Sequence, residues 1–348
     1  MALALVLVAA PVGAQERAFA PAVDRLVNTV IVPAYERFAE AASDQHARVD
    51  ALCAAPSAEA LSAAHEGFGD LVAAYAHIEP YRFGPARDEN RYERLFFWPD
   101  RRGRGLRQVQ RILAEEDESA TTLATLTQKS VAVQGLVALE FTLFGSGSDS
   151  LAAHAGFRCA YARTVAKAMA AVGADMAQAW RGSFAQTLAE AGSDNPTYRS
   201  HGEVLQDILQ AAATQLELAG VQKLSAVVGK APDDAKPKRA PLWRSNLTLP
   251  MVAANVDAVR TLLEAGVGDL LDDDTLVKSA LFELAQVDRA LAPLMESGEP
   301  FLDLAQNEGA HRRLAYAAIP LGAAQRLIAE RIQGALGLAA GFNALDGD

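Results

Sequence analysis

The chain has 348 residues, 51% of them hydrophobic and 22% charged. That balance is too apolar for a disordered protein, and the chain is long enough to bury a large core without help from a metal. With 32 basic against 43 acidic residues the net charge is −11, which argues against a nucleic-acid partner while leaving room for a local basic patch.

The N-terminus opens with an unbroken apolar run, Ala2 to Ala10, followed by Pro11 and the small-residue ending Val12-Gly13-Ala14. Residues 1–14 therefore read as a secretory signal peptide, and no lipobox cysteine follows them. The expected product is exported and periplasmic. In that compartment Cys53 and Cys159 form a candidate disulfide closing a long loop, the alternative being two buried thiols.

Apolar residues at helical spacing fill most of the mature chain. Val23, Leu26, Val27, Val30 and Ile31 share one face and lead on to Tyr35 and Phe38. A helix is predicted over residues 58–78, with Ser57 as its N-cap and Glu59 in its first turn. Pro80, Gly84, Pro85, Pro99, Gly103 and Gly105 keep the next stretch out of any long helix. Further helices are predicted over 106–113, about 118–144 and 151–191. Gly192-Ser193-Asp194-Asn195-Pro196 marks a boundary. Beyond it the pattern gives helices over 197–228, 247–265, 274–295 and 300–340, with Pro320 kinking the last and a Lys/Pro/Asp-rich loop over 229–241. Strand alternation is nearly absent. The expected class is all-α: two packed helical-bundle domains, residues 15–192 and 197–348, with a cleft between them.

Two constellations carry chemistry. The first is Glu140, whose helical neighbours Leu136, Val137, Leu143 and Phe144 are all apolar. A carboxylate in such a stripe is costly unless a cation, a donor or a proton compensates it, so Glu140 demands a partner. A plain buried Glu–Arg pair would satisfy the demand as well as a ligand would. The second is the aromatic-rich run Tyr75 to Pro85, continued by Phe97-Trp98-Pro99-Asp100. Ordered loops of this kind can bring Glu79, Arg82 and Asp100 to one cavity, or can simply connect helices with Arg82 capping carbonyls. The Arg-rich stretch from Arg87 to Arg107, interspersed with Asp88, Glu89 and Glu93, reads as a solvated face, with an anion site as the alternative.

The segments Tyr81-Arg82-Phe83-Gly84-Pro85, Trp98-Pro99-Asp100, Gly135 to Gly145 and Pro241-Leu242-Trp243-Arg244-Ser245-Asn246 together resemble the imelysin-like family of exported bacterial proteins, over nearly the whole mature chain. The resemblance implies an all-helical fold of two bundle-like domains, an exported location and a link to iron acquisition; the family is named after a peptidase. Its Gly-x-His-x-x-Glu signature is matched by Gly135 and Glu140, but Val137 stands in the histidine's place. Valine ligates nothing, so the family's implied His/Glu pair cannot be carried over whole. The resemblance also places the Trp243–Ser245 segment opposite the Glu140 motif, making Arg244 a candidate partner for Glu140 or Asp100. Ser245 or Asn246 is the expected N-cap of the helix that follows, with Asn255 farther along it.

The leading expectation is thus a periplasmic binding or accessory protein for iron or another metal. Its ligand, a metal ion or a small anionic chelate, would lie between the bundles against Glu79, Arg82, Asp100, Gly135, Glu140, Arg244 and Ser245. Glu140 and Glu79 are the candidate metal ligands, for a divalent or trivalent ion. An inner- or outer-membrane iron-transport component is the expected protein partner. The alternatives are an imelysin-type metallopeptidase, disfavoured by the missing histidine, and an interaction scaffold that binds no ligand.

Overall fold

Apolar faces at helical spacing need other helices to cover them, and that is how the core is built. The computed structural model describes residues 12–338, all in helices, turns and loops with no strand among them. Of the expected signal peptide, residues 1–14, residues 1–11 lie outside those described, and Val12-Gly13-Ala14 opens the first described helix. No described helix is long and apolar enough to cross a membrane.

Helix α1 (Val12–Leu26) runs through a π-helical turn, Val27–Ile31, into α2 (Val32–Ala54). Helix α3 (Ala58–Ile78) starts where predicted, with the Ala60 N–H donating to Ser57 Oγ at 3.1 Å. Then come α4 (Arg104–Glu115), α5 (Leu136–Phe144) and α6 (Phe157–Ala179). The second half supplies α7 (His201–Glu217), α8 (Thr248–Glu264), α9 (Thr275–Glu296) and α10 (Glu308–Arg326).

In the first group α2 packs on α3 and α6. Small residues let the backbones approach: Gly173 faces the Cα of Ala39 and the Phe38 ring. The Cys53–Cys159 disulfide staples α2 to α6, its Cα atoms 5.6 Å apart. In the second group α9 packs on α10, which also lies against α7. Helix α3 meets α8 across the two groups, and α1 packs on α7, so the first helical run touches both. One continuous apolar cluster runs through all of them.

Three predicted helices are corrected. The 118–144 helix is broken into short pieces before α5, because Asp117, Thr122 and Ser130 each capture a nearby backbone N–H and start a new turn. The 151–191 helix begins at Phe157, and its course changes at Gly182 (φ −101°, ψ −110°). The 300–340 helix is interrupted at Asn307, whose Oδ1 accepts the Gly309 and Ala310 N–H groups, while α10 continues through Pro320.

Candidate functional site

Helix α5 is apolar on every side and lies buried, which puts Glu140 in the interior at 2% exposure. Its Oε1 accepts the backbone N–H of Arg244 (2.9 Å), that of Ser245 (3.0 Å) and the Ser245 hydroxyl (3.0 Å). The Arg244 guanidinium stands 3.9 Å from Oε2, lies over the Trp243 ring at 4.3 Å and is 5.3 Å from the Phe141 ring. Burial pushes the Glu140 carboxyl above the usual range, opposed by the Ser245 N–H and the Arg244 charge. Gly135 does not reach this group. It starts α5 against the backbone of Arg94 and Leu95, whose carbonyl oxygens would collide with any Cβ there.

The donor loop is held from several sides. Leu242 and Asn246 adopt positive φ, and the Leu247 N–H returns to the Leu242 carbonyl at 3.0 Å. Thr248 Oγ1 donates to the Pro241 carbonyl at 2.6 Å. The expected N-cap is corrected: α8 is preceded by Leu247 with no side-chain cap. Ser245 instead spends its hydroxyl on Glu140, and Asn246 Oδ1 accepts the Phe301 N–H at 2.8 Å. Asp100 is also an anchoring group, accepting the Arg104, Gly105 and Leu106 N–H groups at the start of α4. It is not paired with Arg244.

Glu79 belongs elsewhere. It follows the last turn of α3, is 1% exposed, and its Oε2 accepts Lys223 Nζ (2.5 Å), Asn255 Nδ2 (2.9 Å) and Gln215 Nε2 (3.1 Å). Arg82 Nη2 reaches Oε1 at 3.5 Å while the guanidinium covers the Tyr92 ring at 4.4 Å. Lys223 Nζ also donates to Asn255 Oδ1 at 2.8 Å, and Asn255 Nδ2 donates to the Ala76 carbonyl at 2.9 Å. Complete burial draws the Lys223 ammonium down to about 8 against the opposing pull of Glu79. The single polar cavity expected from sequence is therefore two separate carboxylate clusters. Lys223 and Gln215 carry half of the second one and escaped the sequence reading. Lys223 had a visible signal, since its helical neighbours Ala219, Gly220, Ala226 and Val227 are all apolar.

Glu140 forms part of the wall of a cavity of about 320 Å³. The first half of the chain contributes Trp98, Asp100, Arg101 and Val137, and the second half Gln222, Val227 and the stretch Lys238 to Arg244 without Pro241. Trp98 Nε1 donates to the Arg239 carbonyl at 3.2 Å, tying the two walls together. Arg101, Lys238 and Arg239 are exposed and make no ion pair among the described residues. Glu79, Arg82, Gly135 and Ser245 are not among the lining residues.

A bare metal ion fits neither carboxylate. Glu140 Oε1 is saturated by three N–H and O–H donors with a guanidinium beside its other oxygen, and Glu79 is surrounded by an ammonium, two amides and a guanidinium. Among the described residues no group of three His, Cys, Asp or Glu side chains is placed to hold a metal. Val137, the position to which the resemblance assigns a histidine, faces the cavity with an apolar side chain.

Comparison with known proteins bears on this geometry. The model of the Imelysin family (Peptidase_M75) matches residues 31–328. Two crystal structures share the fold. An imelysin-like protein from Psychrobacter arcticum 273-4 is 20% identical with a TM-score of 0.78, covering 97% of this chain and all (100%) of that one. A protein from Parabacteroides distasonis ATCC 8503, assigned as an iron-regulated protein A precursor, is 16% identical with a TM-score of 0.74, covering 92% and 96%. No curated protein matches the sequence.

Proposed function

The chain belongs to the imelysin family, and on that premise we propose that it is an exported, periplasmic binding or accessory protein in the acquisition of iron or another metal. In this reading residues 15–192 and 197–348 act as two bundle-like domains, and a small ligand occupies the cavity between them. The observation that carries it is the cavity of about 320 Å³ with walls drawn from both halves of the chain and Glu140 in its lining. That volume suits a compact small molecule. The iron-regulated assignment of the Parabacteroides relative supports the choice of metal acquisition as the context.

Calorimetric titration with ferric and ferrous iron, zinc, copper and citrate tests the reading on the wild type and on Val137→Trp, which fills the cavity from its wall. Binding of at least one probe, weakened about tenfold or more in the filled variant, is the expected result. Silence from every probe would leave an interaction scaffold. Chelator-sensitive cleavage of an unfolded protein substrate would put a metallopeptidase in its place. Fractionation of cells with sequencing of the mature N-terminus tests export, with cleavage expected after Ala14.

A further inference from the structure

Around the cavity the charge and the apolar surface are arranged for a ligand that a bare cation does not resemble. Arg101, Lys238 and Arg239 lie exposed along its wall with no carboxylate in ion-pair reach among the described residues, and Arg244 adds a fourth positive charge. The two acids of the lining are already spent: Asp100 on the start of α4 and Glu140 on the Arg244–Ser245 loop. Trp98 supplies flat aromatic surface to the same cavity, Trp243 lies under the Arg244 guanidinium at 4.3 Å with Lys238 Nζ 5.9 Å from its ring, and Val137, Val227 and Leu242 supply aliphatic surface. A cation entering here meets net positive charge and no free carboxylate oxygen pair. An anion with a planar apolar part meets unpaired cations and the Trp98 ring.

We infer that the ligand of this cavity is a small organic oxyanion of the carboxylate or catecholate class with a flat apolar part, so that any metal reaches the protein already chelated by it. Arg101, Lys238 and Arg239 recognise its charge, Trp98 receives its plane, and Glu140 positions the Arg244 loop without touching metal. The inference rests on the cavity being the ligand site, as proposed above, and adds the chemistry of what enters.

The test uses ferric citrate and the ferric complex of dihydroxybenzoate, each beside its metal-free acid, and ferric and ferrous iron alone. Binding is followed by calorimetry and by quenching of tryptophan fluorescence. The triple variant Arg101→Gln, Lys238→Gln, Arg239→Gln changes only exposed side chains, and Glu140→Gln keeps an acceptor for the loop donors. The expected result is binding of at least one chelate or its free acid, about tenfold or more weaker in the triple variant and weakened by added salt, with no binding of uncomplexed iron that depends on the Glu140 carboxylate. Preference for the chelate over the free acid identifies the metal complex as the source, and equal binding identifies the acid itself. Uncomplexed iron that binds wild type and the triple variant alike but not Glu140→Gln would overturn the inference and leave the metal-acquisition reading standing. An organic anion that binds the triple variant as tightly as wild type would also overturn it. Absence of binding by all probes would instead remove the ligand site on which it rests.

Discussion

Two buried carboxylates, Glu79 and Glu140, solve the same problem by different means. Glu79 is neutralised by the side chains of Lys223, Asn255, Gln215 and Arg82, in a cluster whose carboxylate and ammonium are fully buried. Glu140 is held chiefly by two backbone N–H groups and a hydroxyl from one loop, with the Arg244 guanidinium at 3.9 Å, and it borders a cavity. Side-chain pairing fixes how α3, α8 and the Lys223 turn sit on one another. Backbone pairing fixes a loop and leaves the surrounding wall open. The difference separates a group that holds the two helical groups together from one that shapes a candidate site.

The sharpest way to break the comparison is at Lys223. Lys223→Met leaves the buried Glu79 carboxylate with only Arg82 at 3.5 Å as counter-charge among the described residues and is expected to cost about 3–5 kcal/mol in denaturant unfolding, most of it recovered when Glu79→Gln is added. If the single variant is as stable as wild type, the cluster contributes no orientation and the contrast fails. The double variant Cys53→Ser, Cys159→Ser frees a loop closed at a separation of 106 residues and should cost about 2–4 kcal/mol, read as a lower melting temperature under non-reducing conditions. Ser245→Ala removes one donor from Glu140 and should cost about 1–2 kcal/mol with the cluster around Glu79 untouched.

The smallest effects are in pH dependence, and the two acids' surroundings give opposite signs. The Lys223 ammonium is lowered to about 8 from an ordinary 10.5. Between those values the unfolded chain holds a proton that the folded one has released, so this group makes stability rise with pH there. Wild type minus Lys223→Met should show that slope. The Glu140 carboxyl is raised above 4.5, so the folded chain holds the extra proton. Its contribution is fully present below about 4.5 and is lost as pH climbs through the folded value. Wild type minus Glu140→Gln should therefore fall with rising pH on the acid side, and a rise would contradict the burial of Glu140.

Much of the fold was legible because helix formation is local. Helix α3 begins and ends at the predicted residues, with Ser57 as its cap, since apolar spacing, an N-cap and a following proline all lie within its own span. The 118–144 stretch misled because its apolar spacing outweighed three local captures of backbone N–H groups by Asp117, Thr122 and Ser130. At the site, Glu140 announced itself through its apolar neighbours, and its loop partner was reached through the family resemblance. Lys223 carries the same signal in its apolar helical neighbours Ala219, Gly220, Ala226 and Val227. Asp100 does share the cavity wall with Glu140, but placing Glu79 and Arg82 there failed because adjacency of loops along a sequence says nothing of which way each one turns.

By itself the amino-acid sequence determined that the chain is helical, that Glu140 is sunk in an apolar stripe, and that Cys53 and Cys159 are the pair available for a staple. Only the tertiary structure decided which donors answer each acid, because the Glu140 donors lie 104 and 105 residues away and Lys223 lies 144 from Glu79. Periodicity and the desolvation of a buried charge act within a turn or two of helix. The choice of partner, and with it the division into a closed cluster and an open cavity, is settled where distant helices meet.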